Sequence, residues 1–112
     1  MEINDTFGNQ DDQTVSAEDI MADLPQEVGL EQNYPNPFNP VTTIQYQLPA
    51  DTHVELTVYN TLGQQVETLV DGRVEAGTHE VSFDGSNLAS GVYIYRLQTD
   101  RKVISNQMTL VK

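Results

Sequence analysis

Residues 33–40 constrain this chain more than any other stretch. They read Asn33-Tyr34-Pro35-Asn36-Pro37-Phe38-Asn39-Pro40, and they hold three of the five prolines. A proline ring fixes φ at about −65° and removes the backbone donor. It also pushes the preceding residue toward extended geometry, and Tyr34, Asn36 and Asn39 each precede one. The octet is therefore neither helix nor the middle strand of a sheet. It predicts an ordered, extended crossing whose two aromatics, Tyr34 and Phe38, dock on a core. The asparagine side chains are placed to satisfy backbone groups that no ladder reaches.

What surrounds the octet is a succession of short strand patterns. Val28 and Leu30 alternate with Gly29 and Glu31. In residues 42–48, Ile44, Tyr46 and Leu48 share one face; in residues 53–60, Val54, Leu56 and Val58 point inward, with His53, Glu55 and Thr57 outward. Asn60-Thr61-Leu62-Gly63 reads as a turn with Gly63 at positive φ. Residues 65–70 form a third strand, closed by a hairpin signal at Asp71-Gly72. Gly77 opens a strand in which His79, Val81 and Phe83 share a face. Asp84-Gly85-Ser86-Asn87 is a loop, and Leu88 beyond it plugs one end of the core. Residues 92–97 are apolar on both faces, as a central strand should be. Residues 103–111 form the last strand, with Met108 and Leu110 inward. Short strands at roughly ten-residue spacing predict an all-β, immunoglobulin-like antiparallel β-sandwich of about seven strands.

The acidity of the chain is uneven. Formal net charge is −12, yet nine of the seventeen acids fall in residues 1–31, which contain no Lys or Arg. Residues 1–24 are therefore expected to be an acidic, partly disordered linker, with a possible short helix at 16–24, and residues 25–112 the folded domain. An acidic chain is a poor match for a phosphate backbone, so nucleic acid is not an expected partner. No apolar run approaches the roughly 20 residues that span a bilayer, and the first residues lack the basic and apolar regions of a secretory leader. There is no cysteine, hence no disulfide or thiolate site.

No catalytic, cofactor-binding or metal-binding constellation emerges. His53 and His79 each sit on a strand without a second ligand or a nucleophile in motif spacing, and read as structural or surface residues. Asp71-Gly72 and Asp84-Gly85-Ser86-Asn87 lack the length and closing Glu of a calcium loop and read as turns. Tyr93 and Tyr95 share one face of a strand. They form either an exposed aromatic stripe for sugar or protein binding, or one side of the core with each hydroxyl at the rim, the commoner fate of strand aromatics. The expectation is a protein that is not an enzyme and needs no cofactor.

The octet, followed by Thr42-Thr43-Ile44 and Leu48-Pro49, resembles the opening of the C-terminal sorting domain of the type IX secretion system. Val58-Tyr59-Asn60-Thr61-Leu62-Gly63, Ala76-Gly77-Thr78-His79, Leu88-Ala89-Ser90-Gly91-Val92-Tyr93 and the closing Lys112 agree, in the family's order. Two positions depart from it: Val41, where Ser or Thr is more usual, and Gln107, where Lys or Arg is frequent. The resemblance implies a non-catalytic C-terminal secretion signal on a longer precursor. It directs an N-terminal cargo domain from the periplasm of a Gram-negative bacterium through the outer-membrane type IX translocon. A sortase-like surface protease then releases the cargo or attaches it at the cell surface. The matching residues are Asn33, Tyr34, Pro35, Asn36, Pro37, Phe38, Asn39, Pro40, Gly63, Gly77, Gly91 and Lys112. For each glycine the alternative role is a turn needing φ > 0, and for the octet a rigid crossing. The last strand is expected to carry the address, as an edge whose open amides and carbonyls a partner reads by strand addition. The rival function is an immunoglobulin-like spacer or carbohydrate-binding module of a secreted enzyme, which a cluster of exposed aromatics on one face would favour.

Overall fold

The computed structural model describes residues 25–112; the linker and helix expected within residues 1–24 lie outside the described residues. Seven strands run in chain order: β1 (Gly29–Leu30), β2 (Val41–Leu48), β3 (Thr52–Tyr59), β4 (Gln65–Val74), β5 (Gly77–Asp84), β6 (Gly91–Gln98) and β7 (Val103–Leu110). They form two antiparallel sheets, β1-β2-β5 and β4-β3-β6-β7. The alternation in β2 and β3 sends Ile44, Tyr46 and Leu48 from one sheet and Val54, Leu56 and Val58 from the other into a common core. Tyr95, Leu97, Met108 and Leu110 complete it. β6 lies between β3 and β7, but only its inner face, Tyr93, Tyr95 and Leu97, is buried. Val92 and Gln98 are exposed and Ile94 and Arg96 half-buried on the outer face. The expectation of two apolar faces therefore fails, because lateral pairing does not cover the face of a sheet.

Three further expectations need correction. Asp71-Gly72 is not a turn. Both residues lie inside β4, where Gly72 faces Val54 and Asp71 faces Glu55. The chain turns later, at Glu75 and Ala76, where the Asp51 carboxylate accepts the Ala76 amide at 2.9 Å. That connection carries the chain from one sheet to the other, so no hairpin exists there for a two-residue turn to close. Thr57 faces outward but is buried, because it lies on a central strand beneath its neighbours, opposite Thr68 and Arg96. Tyr34 does not dock on the core; its placement is described with the octet below.

The topology gives the sandwich two ends and two flanks. Chain entry lies at one end, where Val28 meets Pro49, Ala50, Thr52 and the β6–β7 turn. The start of β2, the end of β5, the start of β6 and the end of β7 meet at the other. β1 and β7 make one flank and β4 and β5 the other.

Candidate functional site

The octet leaves one sheet and arrives at the other. Tyr34 exchanges both backbone hydrogen bonds with Thr43 on β2, each at 3.0 Å. Four residues on, the Phe38 amide donates to Thr109 O and the Phe38 carbonyl accepts from Val111 N, both at 2.9 Å, a parallel bridge onto β7. Between them the Asn36 side chain accepts the Thr109 amide at 3.0 Å. This is the ordered crossing expected from the prolines, with Asn33 and Asn36 serving orphan backbone groups. All three X–Pro bonds in it are cis.

Two buried positions, Asn33 and Phe38, bracket four exposed ones, and this decides the fate of the aromatics. Asn33 points in and is buried, so Tyr34 points out and is 81% exposed; Phe38 points in again and is 1% exposed. Phe38 packs edge-on to Phe83, with ring centroids 6.0 Å apart. Its ring also borders Gly85, where an added Cβ would lie 3.5 Å from Phe38 and 3.0 Å from Leu110. The Gly85 amide donates to Pro40 O at 2.7 Å, which fixes the end of the octet.

A buried polar clasp secures its beginning. The Tyr95 hydroxyl accepts the Asn33 amide at 2.8 Å and donates to Glu31 O at 2.7 Å. The Asn33 side-chain amide donates to Thr42 Oγ1 and Pro35 O, and the Thr42 hydroxyl donates to Pro35 O. Asn106 on β7 adds a donor to Leu30 O. Burial pushes the Tyr95 hydroxyl above its ordinary pKa, so it stays a neutral donor. Tyr95 thus closes the core with its hydroxyl at the rim. Tyr93 does the same, donating to Ala89 O at 2.7 Å. The reading of these two as an exposed stripe is therefore overturned, and Tyr34 stands exposed without them.

The outer edge of β7 is not the open edge that its position suggested. Thr109 N, Thr109 O and Val111 N are taken by the octet, and the Gln32 side chain donates to Gln107 O at 2.7 Å. A prolyl segment with few free amides has settled on the C-terminal half of the edge, so strand addition has room only nearer Val103 and Ser105. Lys112 is tied down as well. Its amide donates to Ser90 Oγ at 3.0 Å and its ammonium to Ser86 O at 2.6 Å. Asp84 organises that loop by accepting the Ser86 hydroxyl and, at 2.9 Å, the Ser86 amide. These bonds, with Lys112 nearby, hold its carboxyl below the usual range.

Gly63, Gly77 and Gly91 all have positive φ, at 82°, 128° and 154°. Gly63 closes the Asn60 turn, in which the Asn60 side chain caps the Leu62 and Gln64 amides. A side chain there would be strained although there is space for it. The octet, Gly63, Gly91 and Lys112 gather toward the end of the sandwich remote from chain entry; Gly77 lies at the entry end. Among the described residues, five of the six large exposed apolar ones, Tyr34, Val41, Leu62, Val92 and Val111, fringe the same end. In the loops that form it, residues 36–41, 60–64, 85–91 and 111–112, the charged side chain is Lys112. Sequence reasoning missed Thr42, Gly85, Tyr95 and Asn106 as parts of this assembly. Gly85, Tyr95 and Asn106 look ordinary locally because their partners lie far along the chain, whereas Thr42, whose partners are seven and nine residues away, shows only a strand threonine in sequence. His53 pairs with Asp71 at 3.3 Å and His79 stacks on Tyr46, which are surface and structural roles.

A family model described as "Secretion system C-terminal sorting domain" matches residues 32–111. A search of curated proteins found no match. Among solved structures, this chain is similar to PorZ of Porphyromonas gingivalis, described as an essential bacterial surface component of the type IX secretion system. Identity is 21% and TM-score 0.51, over 76% of this chain and 11% of that one. The chain thus spans about a tenth of that protein's length, and the likeness concerns the fold.

Proposed function

Because the chain belongs to the family of type IX secretion C-terminal sorting domains, we propose that it addresses an attached N-terminal cargo to the outer-membrane translocon through the end of the sandwich remote from chain entry. The observation that carries this reading is the seating of the octet on β7. It joins the two matched ends of the domain, residues 33–40 and the C-terminal strand, in one rigid, weakly charged, apolar-fringed surface. A cargo joined ahead of Pro25 would emerge from the opposite end and leave that surface free. Passage through the translocon, then release or attachment by a sortase-like surface protease, are the events such a signal serves. The domain's own part is recognition, without chemistry.

Fusion of residues 25–112 to a periplasmic reporter, in a host with this secretion system, tests the reading. The reporter should reach the cell surface or the medium. Removing Val111 and Lys112 takes away three hydrogen bonds to Phe38, Ser90 and Ser86 but no buried side chain. That variant should stay folded and leave the reporter in the periplasm. A folded truncation that still exports would move recognition onto the octet itself. A folded, intact domain that never exports would refute the proposal.

A further inference from the structure

On the outer face of the β4-β3-β6-β7 sheet, Arg96 is held in one posture. Its guanidinium lies 4.9 Å from the centroid of the Tyr59 ring, and Nη2 donates to the Tyr59 hydroxyl at 2.7 Å. Tyr59, Asn60, Gly63, Ile94, Arg96 and Ser105 line a shallow groove of about 240 Å³ at this point. None of the six carries a negative charge. The register sets Thr57 and Ser105 opposite Arg96, while Glu55 faces Gln98. Among the described residues, the His53 ring lies 3.3 Å from the Asp71 carboxylate and Lys102 lies 3.9 Å from Glu27, and Arg96 belongs to neither contact.

That is an unusual position for one of five bases in a chain with seventeen acids. The Tyr59 contact explains how the guanidinium is oriented but uses one of its five N–H donors. The Asn60 side chain is engaged in its own turn, bonded to Leu62, Gln64 N and the Gln64 side chain. The Ser105 hydroxyl makes no hydrogen bond among the described residues. A half-buried, pre-oriented planar fork beside a free hydroxyl matches the geometry of a carboxylate, which an arginine grips with two parallel bonds. Simple cover for Ile94 and Tyr59 would need the aliphatic stem, and a lysine would supply it equally well.

We infer that the Arg96–Tyr59 groove is a binding site for a carboxylate, presented by an acidic side chain of a protein partner or carried by a small organic acid. The inference is independent of the sorting function. The test is a titration of the 112-residue chain at constant ionic strength, followed by nuclear magnetic resonance of the arginine Nε–Hε groups and the Gly63 and Ser105 amides. The probes are acetate, chloride, and the capped tripeptides Gly-Glu-Gly and Gly-Gln-Gly. Acetate should give a saturable shift at Arg96 and Ser105, with Arg73 and Arg101 moving little, and chloride should not reproduce it. A response to the Glu peptide but not the Gln peptide assigns the carboxylate to a protein side chain. A response to acetate alone assigns it to a small acid. R96K keeps the charge and the stem but loses the fork, so the saturable Ser105 shift should disappear. Y59F, which keeps the ring, should weaken it. Equal movement of all three arginines, an equal effect of chloride, or an undiminished Ser105 response in R96K would overturn the inference.

Discussion

The two flanks of the sandwich solve the same problem in opposite ways. Every open sheet has edges that must be kept from pairing with other chains. At the β1/β7 flank the edges are closed by other parts of the chain: the octet on Thr109 and Val111, Gln32 on Gln107, and the Tyr95–Asn33–Thr42 clasp between the sheets. At the β4/β5 flank nothing comparable is laid across among the described residues. There β4 is irregular, its register against β3 shifting twice, and it carries Glu67, Asp71 and Arg73. Val66, Leu69, Val70 and Val81 are only partly buried against the core. Bulges and charges discourage pairing without supplying contacts. A closed flank fixes one arrangement of the chain; a blunted one only forbids others. The octet and Lys112 lie beside the closed one.

The contrast is sharpest at the octet, where one segment has both an inward and an outward aromatic. Phe38→Ala should destabilise the domain by about 3–5 kcal/mol, the range for a fully buried aromatic truncated in a packed core. Tyr34→Ala should change stability by no more than about 0.5 kcal/mol, as exposed substitutions do. Urea unfolding of the two variants measures both. An unchanged midpoint for Phe38→Ala would mean that the octet decorates the flank rather than sealing it.

The clasp should come next. Asn33→Ala removes two hydrogen bonds of a buried side-chain amide, to Thr42 Oγ1 and Pro35 O, which keep only each other as partners. At roughly 0.5–1.5 kcal/mol for each bond, the loss should be about 1–3 kcal/mol. Tyr95→Phe, which keeps the ring and loses the hydroxyl shared by Asn33 and Glu31, should cost a similar amount. Combining the two should cost less than their sum, because they break one network. Additive losses in a double-mutant cycle would show that the clasp is two separate contacts.

On the other flank the same kind of truncation should matter less. Val70→Ala removes two methyl groups from a half-exposed site on β4, at about 1 kcal/mol or below. A loss as large as that of Phe38→Ala would mean that this flank is as tightly closed as its counterpart, and the contrast would fail.

Which parts were legible follows from how local their causes are. Alternation along β2, β3 and β7 is a property of neighbouring residues, so faces and inward side chains could be read directly. The rigidity of the octet came from its prolines, and the positive φ at Gly63 from its turn. The error at Asp71-Gly72 came from a local turn signal overridden by pairing with β3, which needs Glu55 and Val54, 16 and 18 positions away. Tyr34 and Phe38 looked alike in sequence; only the register of Tyr34 with Thr43, which turns Asn33 inward, separates them. Tyr95 and Asn106 were invisible as clasp residues because their partners, Asn33 and Leu30, lie 62 and 76 residues away.

The two flanks meet at Asp84, and acid should separate them there with the smallest effect of the set. Asp84 ends β5 on the blunted flank, and its carboxylate holds the Ser86 hydroxyl and amide. Ser86 O in turn holds the Lys112 ammonium beyond β7 on the closed flank. The folded carboxyl has its pKa lowered from the ordinary 3.8, chiefly by the Ser86 hydroxyl and then by the Ser86 amide. A group whose pKa falls on folding contributes its stabilisation above the unfolded value and loses it as pH drops through the folded one. The tether should therefore be complete at pH 5 and above, and weaken below about pH 4. The Ser86 amide signal should follow that titration, and Lys112 should lose order with it. Asp84→Asn should abolish the pH dependence at Ser86 without unfolding the sandwich, since the site is fully exposed. A Lys112 that stays ordered through the transition would show that the Ser90 and Phe38 contacts hold the end of the chain without Asp84.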